Sequence, residues 1–169
     1  MTTIDLPDTM LASGAAPPDA SNALAPLRVV IADDHPLFRR GLARALQRDP
    51  RFQLVGEAAD GREALRLIEL TAPDVAVLDL RMPGLSGIDV CEEVLSHAPE
   101  LPPGLLLLSA FEDDEIVRAA IAAGADGYVG KEVPQAEVCD AIYVVALGGT
   151  YRPPPAGRRR TRTVHEALS

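Results

Sequence analysis

The chain has 169 residues, of which 47% are hydrophobic and 4% aromatic, and it contains no tryptophan. This length suits one ordinary domain with segments left over at the ends, and the apolar content is sufficient for a core of small aliphatic side chains. The formal net charge of −9 argues against a protein that binds polyanions over its whole surface, and no apolar run approaches the length of a membrane span.

The two ends of the chain differ in composition from the middle. Residues 1–26 are rich in Ala, Pro, Ser and Thr without a sustained period, which predicts a disordered leader. Residues 149–169 are interpreted as a Pro- and Arg-rich linker or tail, and from residue 151 onward they hold five arginines against one glutamate. No Lys or Arg precedes Arg28, so the charged start of a secretory signal is missing, and we expect a cytoplasmic protein.

Short apolar runs and helical repeats alternate from residue 27 onward. The first run, LRVVIA, ends in two acids, and the segment that begins at Pro36 repeats apolar residues at helical spacing. A strand at 52–58 follows, and then a helix that opens with a capping box of Asp60 and Glu63. The later strands are predicted at 74–80, 104–109 and 126–130, and the later helices at about 87–97, 112–124 and 134–147.

Five strands that alternate with five helices predict an α/β fold, in which helices cover both faces of a parallel sheet. The carboxyl ends of such strands meet at one edge of the sheet, where binding sites form. The first strand ends in Asp33 and Asp34, the third in Asp79 and the fourth in Ser109, and Lys131 closely follows the fifth. We therefore expect these five side chains to converge.

The chemistry of this set favours a phosphoryl site with a metal. Three carboxylates in one place repel one another unless a cation joins them, and hard oxygen ligands favour Mg²⁺. A cation beside an ammonium group and a hydroxyl suits a phosphoryl group, which a carboxylate can accept. Asp79 lies on a middle strand beside the acid pair and is the predicted acceptor. Lys131 is the one lysine among 16 basic residues. An ammonium group is a more compact charge than a guanidinium, so its presence here supports a role for Lys131 at the phosphoryl site.

Three further residues have simpler interpretations. His35 directly follows Asp34 but has no partner for a zinc site, so we interpret it as a residue that starts the first helix. Cys91 and Cys139 have no metal or redox spacing and lie in apolar helical stretches, which indicates two small buried residues in a reducing compartment.

Four segments of the sequence, taken in order, resemble the receiver domain of bacterial two-component response regulators: VVIADDHPLFR, DVAVLDLRMPGLSGID, LLLLSA and GADGYVGKE. They span the predicted domain, residues 27–148, from end to end. HPLFRRGL and GGTYRPP are most similar to the subfamily that usually carries a LuxR-type helix-turn-helix. The resemblance implies a flavodoxin-like (βα)5 fold with a five-stranded parallel sheet in the order 2-1-3-4-5.

The resemblance also implies a metal and acceptor set. Asp79 matches the phosphoacceptor. Asp34 matches a direct Mg²⁺ ligand, with Asp33 assisting through water, and the backbone carbonyl of Arg81 supplies another ligand.

A second implied set contacts the phosphoryl group and reports its presence. Ser109 and Lys131 match the hydroxyl and the lysine that bind the phosphoryl oxygens, and Tyr128 matches the aromatic residue whose rotation reports phosphorylation. The side chains of Arg81 and Phe111 should flank the phosphoryl group and tune its lifetime.

The implied function is transfer of a phosphoryl group to Asp79 from a sensor histidine kinase or a small phosphodonor. The phosphoryl group then favours one of two arrangements of the surface made by the fourth helix, the fifth strand and the fifth helix. The chemistry is single-turnover phosphorylation and slow hydrolysis, so we do not expect an enzyme. A phosphorylation-dependent homodimer is compatible with the resemblance.

Several alternatives stay open or compete. Only 20 residues follow Gly149, too few for a helix-turn-helix, so we expect no specific DNA binding and either a stand-alone receiver or a regulator whose output domain is missing. The RRRTR stretch could contact phosphates without sequence preference.

A flavin-binding electron carrier would need a phosphate-cradling loop where ADDHP stands, and an aspartate-based phosphatase would need an acid in place of Arg81. A degenerate receiver that only binds proteins conflicts with the complete acid, hydroxyl and lysine set.

Overall fold

The computed structural model describes residues 25–97, 100–110 and 113–152. Strands and helices alternate along these ranges, as predicted. The strands are β1 (Leu27–Ala32), β2 (Phe52–Ala58), β3 (Val75–Asp79), β4 (Gly104–Ser109) and β5 (Gly127–Gly130). The helices are α1 (Pro36–Arg48), α2 (Gly61–Thr71), α3 (Gly87–His97), α4 (Asp114–Ala122) and α5 (Gln135–Ala146). Of the predicted leader and tail, only residues 25–26 and 149–152 fall within the described ranges.

All five strands are parallel and follow the order β2-β1-β3-β4-β5, which confirms the predicted topology. Ala32 at the end of β1 pairs with Leu78, the residue before Asp79, and Ser109 at the end of β4 pairs with Gly130. The carboxyl ends of these strands therefore lie along one edge of the sheet. The strand order reverses beside β1, which is where ligand sites form in open α/β sheets.

Local sequence signals decide where the helices begin. Helix α1 starts at Pro36, whose fixed φ and missing N–H suit a first turn. Helix α2 starts after Asp60, whose side-chain oxygen accepts a hydrogen bond of 2.8 Å from the backbone N–H of Glu63. The Glu63 carboxylate accepts in return from the backbone N–H of Ala59 at 3.2 Å. The predicted capping box is present, with its return bond one residue earlier than the standard motif places it.

Two hydrophobic clusters cover the two faces of the sheet, because successive side chains of a strand point to opposite faces. In β4, Leu105 and Leu107 belong to one cluster and Leu106 and Leu108 to the other, and each is at most 1% exposed. Helices α2, α3 and α4 complete the first cluster, and helices α1 and α5 complete the second. None of the helices in the described ranges is long and apolar enough to cross a membrane.

The two cysteines are buried, as the sequence predicts, one in each hydrophobic cluster. Burial raises the pKa of Cys91 to about 12 and also raises the pKa of Cys139 above its ordinary value. A thiol with a raised pKa is a poor nucleophile at neutral pH. Both cysteines therefore act as small apolar groups of the core.

The chain beyond α5 returns to the free edge of β5. The backbone N–H of Tyr128 donates to the carbonyl of Tyr151 at 3.1 Å, and the Tyr151 N–H donates to the carbonyl of Asp126 at 3.0 Å. The Tyr151 hydroxyl donates to the Glu137 carboxylate at 3.0 Å, and the Arg152 guanidinium donates to the Asp126 carbonyl at 2.9 Å. The domain boundary at residue 148 stays a prediction, but residues 151–152 lie against the sheet.

Candidate functional site

Four side chains predicted from the sequence meet at the carboxyl edge of the sheet. Asp33 and Asp34 follow β1, Asp79 ends β3, and Lys131 follows β5. The Lys131 ammonium lies 2.8 Å from Asp33 Oδ2 and 3.3 Å from Asp79 Oδ2. The three aspartates each place a carboxylate oxygen in a cluster whose atoms lie within 4.8 Å of one another. We call this cluster, with Lys131, the acid pocket.

Most of the acid pocket is buried. Asp33 and Asp79 are 1% and 3% exposed, and Ser109 at the end of β4 is 2% exposed. Within the ranges that the structure describes, these three are the buried polar residues. The Asp34 side chain is 33% exposed, so the pocket meets solvent on that side.

The backbone of Asp79 is held by a close turn into α3. A Cβ atom at Gly87 would lie 2.5 Å from the carbonyl oxygen of Asp79 and 2.8 Å from the side chain of Leu107. The Gly87 N–H donates to the carbonyl of Leu80 at 2.9 Å. Because no side chain fits there, glycine lets α3 begin directly against the strand end that carries Asp79.

The acid pocket moves the pKa values of its two buried carboxyls apart. Burial raises the pKa of Asp79 to about 6; the negative charge of Asp33 adds to this shift, and the positive charge of Lys131 opposes it. Burial acts in the same direction on Asp33, but hydrogen bonds from Lys131 and His35 outweigh it and hold the pKa of Asp33 below its ordinary value. The Lys131 ammonium therefore favours the ionised form of both carboxyls, but it outweighs burial only at Asp33, where His35 adds its hydrogen bonds.

The oxygen atoms of the acid pocket fit a hard divalent cation. Within the described part of the chain, Asp33 Oδ2, Asp34 Oδ1 and Asp79 Oδ2 are buried and accept no hydrogen bond of good geometry, although Lys131 lies near two of them. Three buried carboxylate oxygens that share one ammonium group are incompletely compensated, which is costly. A cation that prefers carboxylate ligands would satisfy all three, so the residues present are suitable for the predicted Mg²⁺.

Two other predicted residues, Ser109 and Tyr128, are in contact beside the acid pocket. Tyr128 on β5 is 1% exposed. Burial raises the pKa of Tyr128, and a hydrogen bond with the Ser109 side chain acts in the opposite direction. This hydrogen bond joins the end of β4 to β5 next to Lys131.

The two residues predicted to flank the phosphoryl group have different outcomes. The exposed side chain of Arg81 lines a cavity of about 400 Å³ together with Ser86 and Glu115, between the turn after β3 and helix α4. Phe111 lies outside the described residues. The roles expected for Arg81, including that of its backbone carbonyl, stay predictions.

His35 also lies in the acid pocket, which the sequence interpretation missed. It is the residue before α1, as expected, but its Nδ1 lies 3.1 Å from Asp33 Oδ1, 3.2 Å from Asp34 Oδ1 and 3.6 Å from Asp79 Oδ2. The sequence contains one local signal for this position, the aspartate two residues before His35. The backbone N–H of His35 donates to Asp33 Oδ1 at 2.8 Å, a turn that an aspartate two residues earlier favours and that directs the chain back toward the acids.

Comparison with protein families identifies the family to which this fold belongs. A family model described as the response regulator receiver domain matches residues 29–143. The chain belongs to this family. A curated relative of this receiver domain, "Probable transcriptional regulatory protein NarL" of Mycobacterium tuberculosis, is 46% identical over 122 residues, which cover 72% of this chain and 56% of the relative. The transcriptional regulatory protein DegU of Brevibacillus brevis is 36% identical over 125 residues, which cover 74% of this chain and 52% of DegU.

Solved structures give the same result. The signal receiver domain of NarL from Mycobacterium tuberculosis is 46% identical, with a TM-score of 0.70, and the match covers 73% of this chain and 98% of that domain. A LuxR-family two-component response regulator from Aurantimonas is 30% identical, with a TM-score of 0.71 and coverage of 86% and 100%. The predicted family and its LuxR-type affinity are confirmed. The matched receiver domain spans about half the length of the curated relatives.

Proposed function

We propose that this receiver domain accepts a phosphoryl group on Asp79, from the phosphohistidine of a sensor histidine kinase or from a small phosphodonor. The position of Asp79 carries the proposal. It is 3% exposed, it ends the middle strand of the sheet, and it lies 3.3 Å from the ammonium of Lys131. Every neighbouring group in the acid pocket can act on the oxygens of a phosphoryl group that approaches this carboxylate.

In the proposed reaction, a carboxylate oxygen of Asp79 forms a bond to phosphorus while the bond from phosphorus to the donor nitrogen or oxygen breaks and the donor leaves. Lys131 pairs with one phosphoryl oxygen, and the Ser109 hydroxyl donates a hydrogen bond to another. The burial of Asp79 limits the access of water to the product. The domain completes one transfer and a slow hydrolysis, in keeping with a signalling module.

Mg²⁺ is the proposed metal, held by Asp34 directly, by Asp33 through water, by Asp79 and by the backbone carbonyl of Arg81. When bound, the cation would neutralise phosphoryl and carboxylate oxygens together. The donor set of the acid pocket supports this part of the proposal, because three carboxylates meet there and a single ammonium group, that of Lys131, lies against two of them.

The proposed output is a shift between two arrangements of the surface formed by α4, β5 and α5. The phosphoryl group would contact Ser109 at the end of β4 and Lys131 after β5. Ser109 is hydrogen-bonded to Tyr128 on β5, which supports a direct route from the acid pocket to that surface. The proposed consequences are contact with a histidine kinase in the cytoplasm and a phosphorylation-dependent homodimer. The names of the relatives favour transcription as the controlled process.

The first test measures phosphorylation directly. The purified chain is incubated with Mg²⁺ and acetyl phosphate, and its intact mass is compared with that of Asp79→Asn. We expect the wild-type protein to gain one base-labile phosphoryl group and the variant to gain none. Asp114→Asn, which changes an exposed acid in the first turn of α4, is the matched control and should be phosphorylated like the wild type.

Two results would count against the proposal. Equal phosphorylation of the wild type and Asp79→Asn would show that another residue is the acceptor. An unmodified wild type that also fails to bind Mg²⁺ in titration calorimetry would indicate a receiver fold that acts only by binding other proteins.

A further inference from the structure

The imidazole of His35 has no part in the proposed phosphoryl transfer, yet it lies inside the acid pocket. Its Nδ1 is 3.1 Å from Asp33 Oδ1, 3.2 Å from Asp34 Oδ1 and 3.6 Å from Asp79 Oδ2. It also lies 3.2 Å from the Lys131 ammonium. One ring nitrogen is thus close to three carboxylates from two different strands.

Helix capping does not explain this position. His35 is the N-cap of α1, but its side chain makes no capping hydrogen bond, and its backbone N–H is already bonded to Asp33 Oδ1. The side chain is 66% exposed, so the ring is close to solvent and could turn away from the acids at little cost in buried area. The ring instead faces the acid pocket, where Nδ1 lies within hydrogen-bond distance of Asp33 Oδ1 at 3.1 Å and of the Lys131 ammonium at 3.2 Å.

The hydrogen bond to Asp33 accounts for only part of this arrangement. A ring nitrogen carries one N–H or one lone pair, so Nδ1 can serve only one of its neighbours at a time. Asp34 Oδ1 and Asp79 Oδ2 lie near Nδ1 but accept no hydrogen bond of good geometry within the described part of the chain. The bond between Nδ1 and Asp33 Oδ1 therefore leaves Asp34 Oδ1 and Asp79 Oδ2 without a hydrogen bond from the ring.

The spacing matches that of neighbouring ligands around one metal ion. With metal–ligand bonds of about 2.1 Å, adjacent ligands are about 3.0 Å apart in an octahedral site and about 3.4 Å apart in a tetrahedral one. The distances from His35 Nδ1 to the three carboxylates, 3.1 to 3.6 Å, fall around these values. A single cation could therefore contact the ring nitrogen and carboxylate oxygens together.

We propose that His35 is a fourth side-chain ligand of the acid pocket, which makes the pocket a binding site for transition-metal ions such as Co²⁺ and Zn²⁺ as well as for Mg²⁺. Imidazole nitrogen suits Co²⁺ and Zn²⁺ far better than Mg²⁺, which prefers oxygen. His35 thus contributes to the affinity for the transition metals and little to the affinity for Mg²⁺. This inference rests on the cation-binding part of the proposed function and leaves the phosphoryl transfer unchanged.

The test compares metal affinities in the full chain at one pH. Titration calorimetry measures Mg²⁺ binding, and the visible absorption of bound Co²⁺ reports both affinity and nitrogen coordination. For His35→Ala we expect a loss of Co²⁺ affinity of about tenfold or more, with a changed Co²⁺ spectrum. The Mg²⁺ affinity should stay within about twofold of the wild type.

The two other histidines of the chain, His97 and His165, serve as controls. His97 on α3 has a side chain 67% exposed, nearly the same as that of His35, and contacts only Glu93 among the carboxylates of the described residues. His97→Ala and His165→Ala should both leave the Co²⁺ affinity unchanged. His35→Asn, which keeps a polar group before α1, should behave like His35→Ala, and circular dichroism verifies that each variant is folded.

The outcomes separate this inference from the proposed function. Unchanged Co²⁺ affinity and spectrum in His35→Ala, with Mg²⁺ still bound, would overturn the role of His35 and leave the phosphoryl site intact. A loss confined to His97→Ala or His165→Ala would also overturn it. A wild type that binds neither cation would remove the metal site of the proposed function together with this extension of it.

Discussion

At the scale of single residues, Asp79 shows a conflict between stability and the role proposed for it. A buried carboxyl next to Asp33 is a poor choice for stability, because burial and a like charge both disfavour its ionised form. The same position is a good choice for a phosphoryl acceptor, because it excludes water and lies beside the ammonium of Lys131. The raised pKa of Asp79 reports how strongly its surroundings disfavour the ionised carboxylate.

We therefore expect Asp79→Asn to stabilise the domain in EDTA at pH 7. The pKa of Asp79 is raised from 3.8 to about 6. The folded state then binds more protons than the unfolded state between these values, so stability falls as the pH rises through this window. Two pKa units correspond to about 3 kcal/mol, which sets the upper limit of the expected gain. Urea unfolding at pH 7 and near pH 4 measures the gain, which should be small at the lower pH.

Magnesium and a surface acid provide the controls for this stability experiment. Added Mg²⁺ should stabilise the wild type through ligand binding to the folded state and should have less effect on Asp79→Asn. Asp114→Asn changes an exposed acid and should alter the free energy of unfolding by less than about 0.5 kcal/mol. A wild type that is more stable than Asp79→Asn in EDTA at pH 7 would contradict the expectation.

At the scale of elements, β5 is a short edge strand that forms hydrogen bonds with the chain after α5. It has four residues and is the last strand of the sheet, so the backbone groups on its outer edge have no neighbouring strand to pair with. Tyr151 covers part of that edge by accepting from the Tyr128 N–H, and Arg152 adds a bond to the carbonyl of Asp126. Since Lys131 follows β5, we expect this cover to stabilise the position of Lys131 as well.

A chain that ends at Thr150 should therefore have a looser β5 than a chain that ends at Arg152. The shorter chain loses the carbonyl that accepts from the Tyr128 N–H, so that amide should exchange with solvent more quickly. The lost hydrogen bonds should lower the free energy of unfolding by about 1 to 3 kcal/mol. Amide hydrogen exchange resolved at Tyr128, with urea unfolding, compares the two chains. Equal exchange rates at Tyr128 would show that Tyr151 does not support β5.

At the scale of the whole molecule, the sheet joins two separate hydrophobic clusters into one domain. Leu106 and Leu107 are neighbours in β4 and are both fully buried, but they lie in opposite clusters. Truncating either side chain removes apolar contacts from only one face. Because both faces share the same strands, we expect the two clusters to unfold together in one cooperative transition.

Leu106→Ala and Leu107→Ala should each lower the free energy of unfolding by about 2 to 5 kcal/mol. Each variant should unfold in a single transition, with an unchanged dependence on denaturant. Leu101→Ala is the control, since that side chain is 91% exposed and its loss should cost less than about 0.5 kcal/mol. Two resolved transitions in either core variant would show that the two faces unfold separately.

The sequence by itself determined the order of elements, the starts of α1 and α2 and the main residues of the acid pocket, whereas α4 begins at Asp114 and not at the predicted residue 112. The apolar runs, Pro36 and the Asp60 capping box are local signals, which act on the backbone within a few residues. Asp79 and Lys131 were predictable because parallel strands bring their carboxyl ends to one edge whatever the details of the core. The order of the strands came from the likeness of whole segments to a known family.

Only the tertiary structure decided the position of the His35 ring, the return of Tyr151 to β5 and the separation of the pKa values of Asp33 and Asp79. Each depends on distances between groups that are far apart along the chain or on the direction of a single side chain. The turn at Asp33 is a local signal for the backbone of His35, but the distances across the pocket and to β5 follow from how the helices and the sheet pack together. Electrostatic effects fall with distance and rise with burial, so they too are set only once the acid pocket has formed.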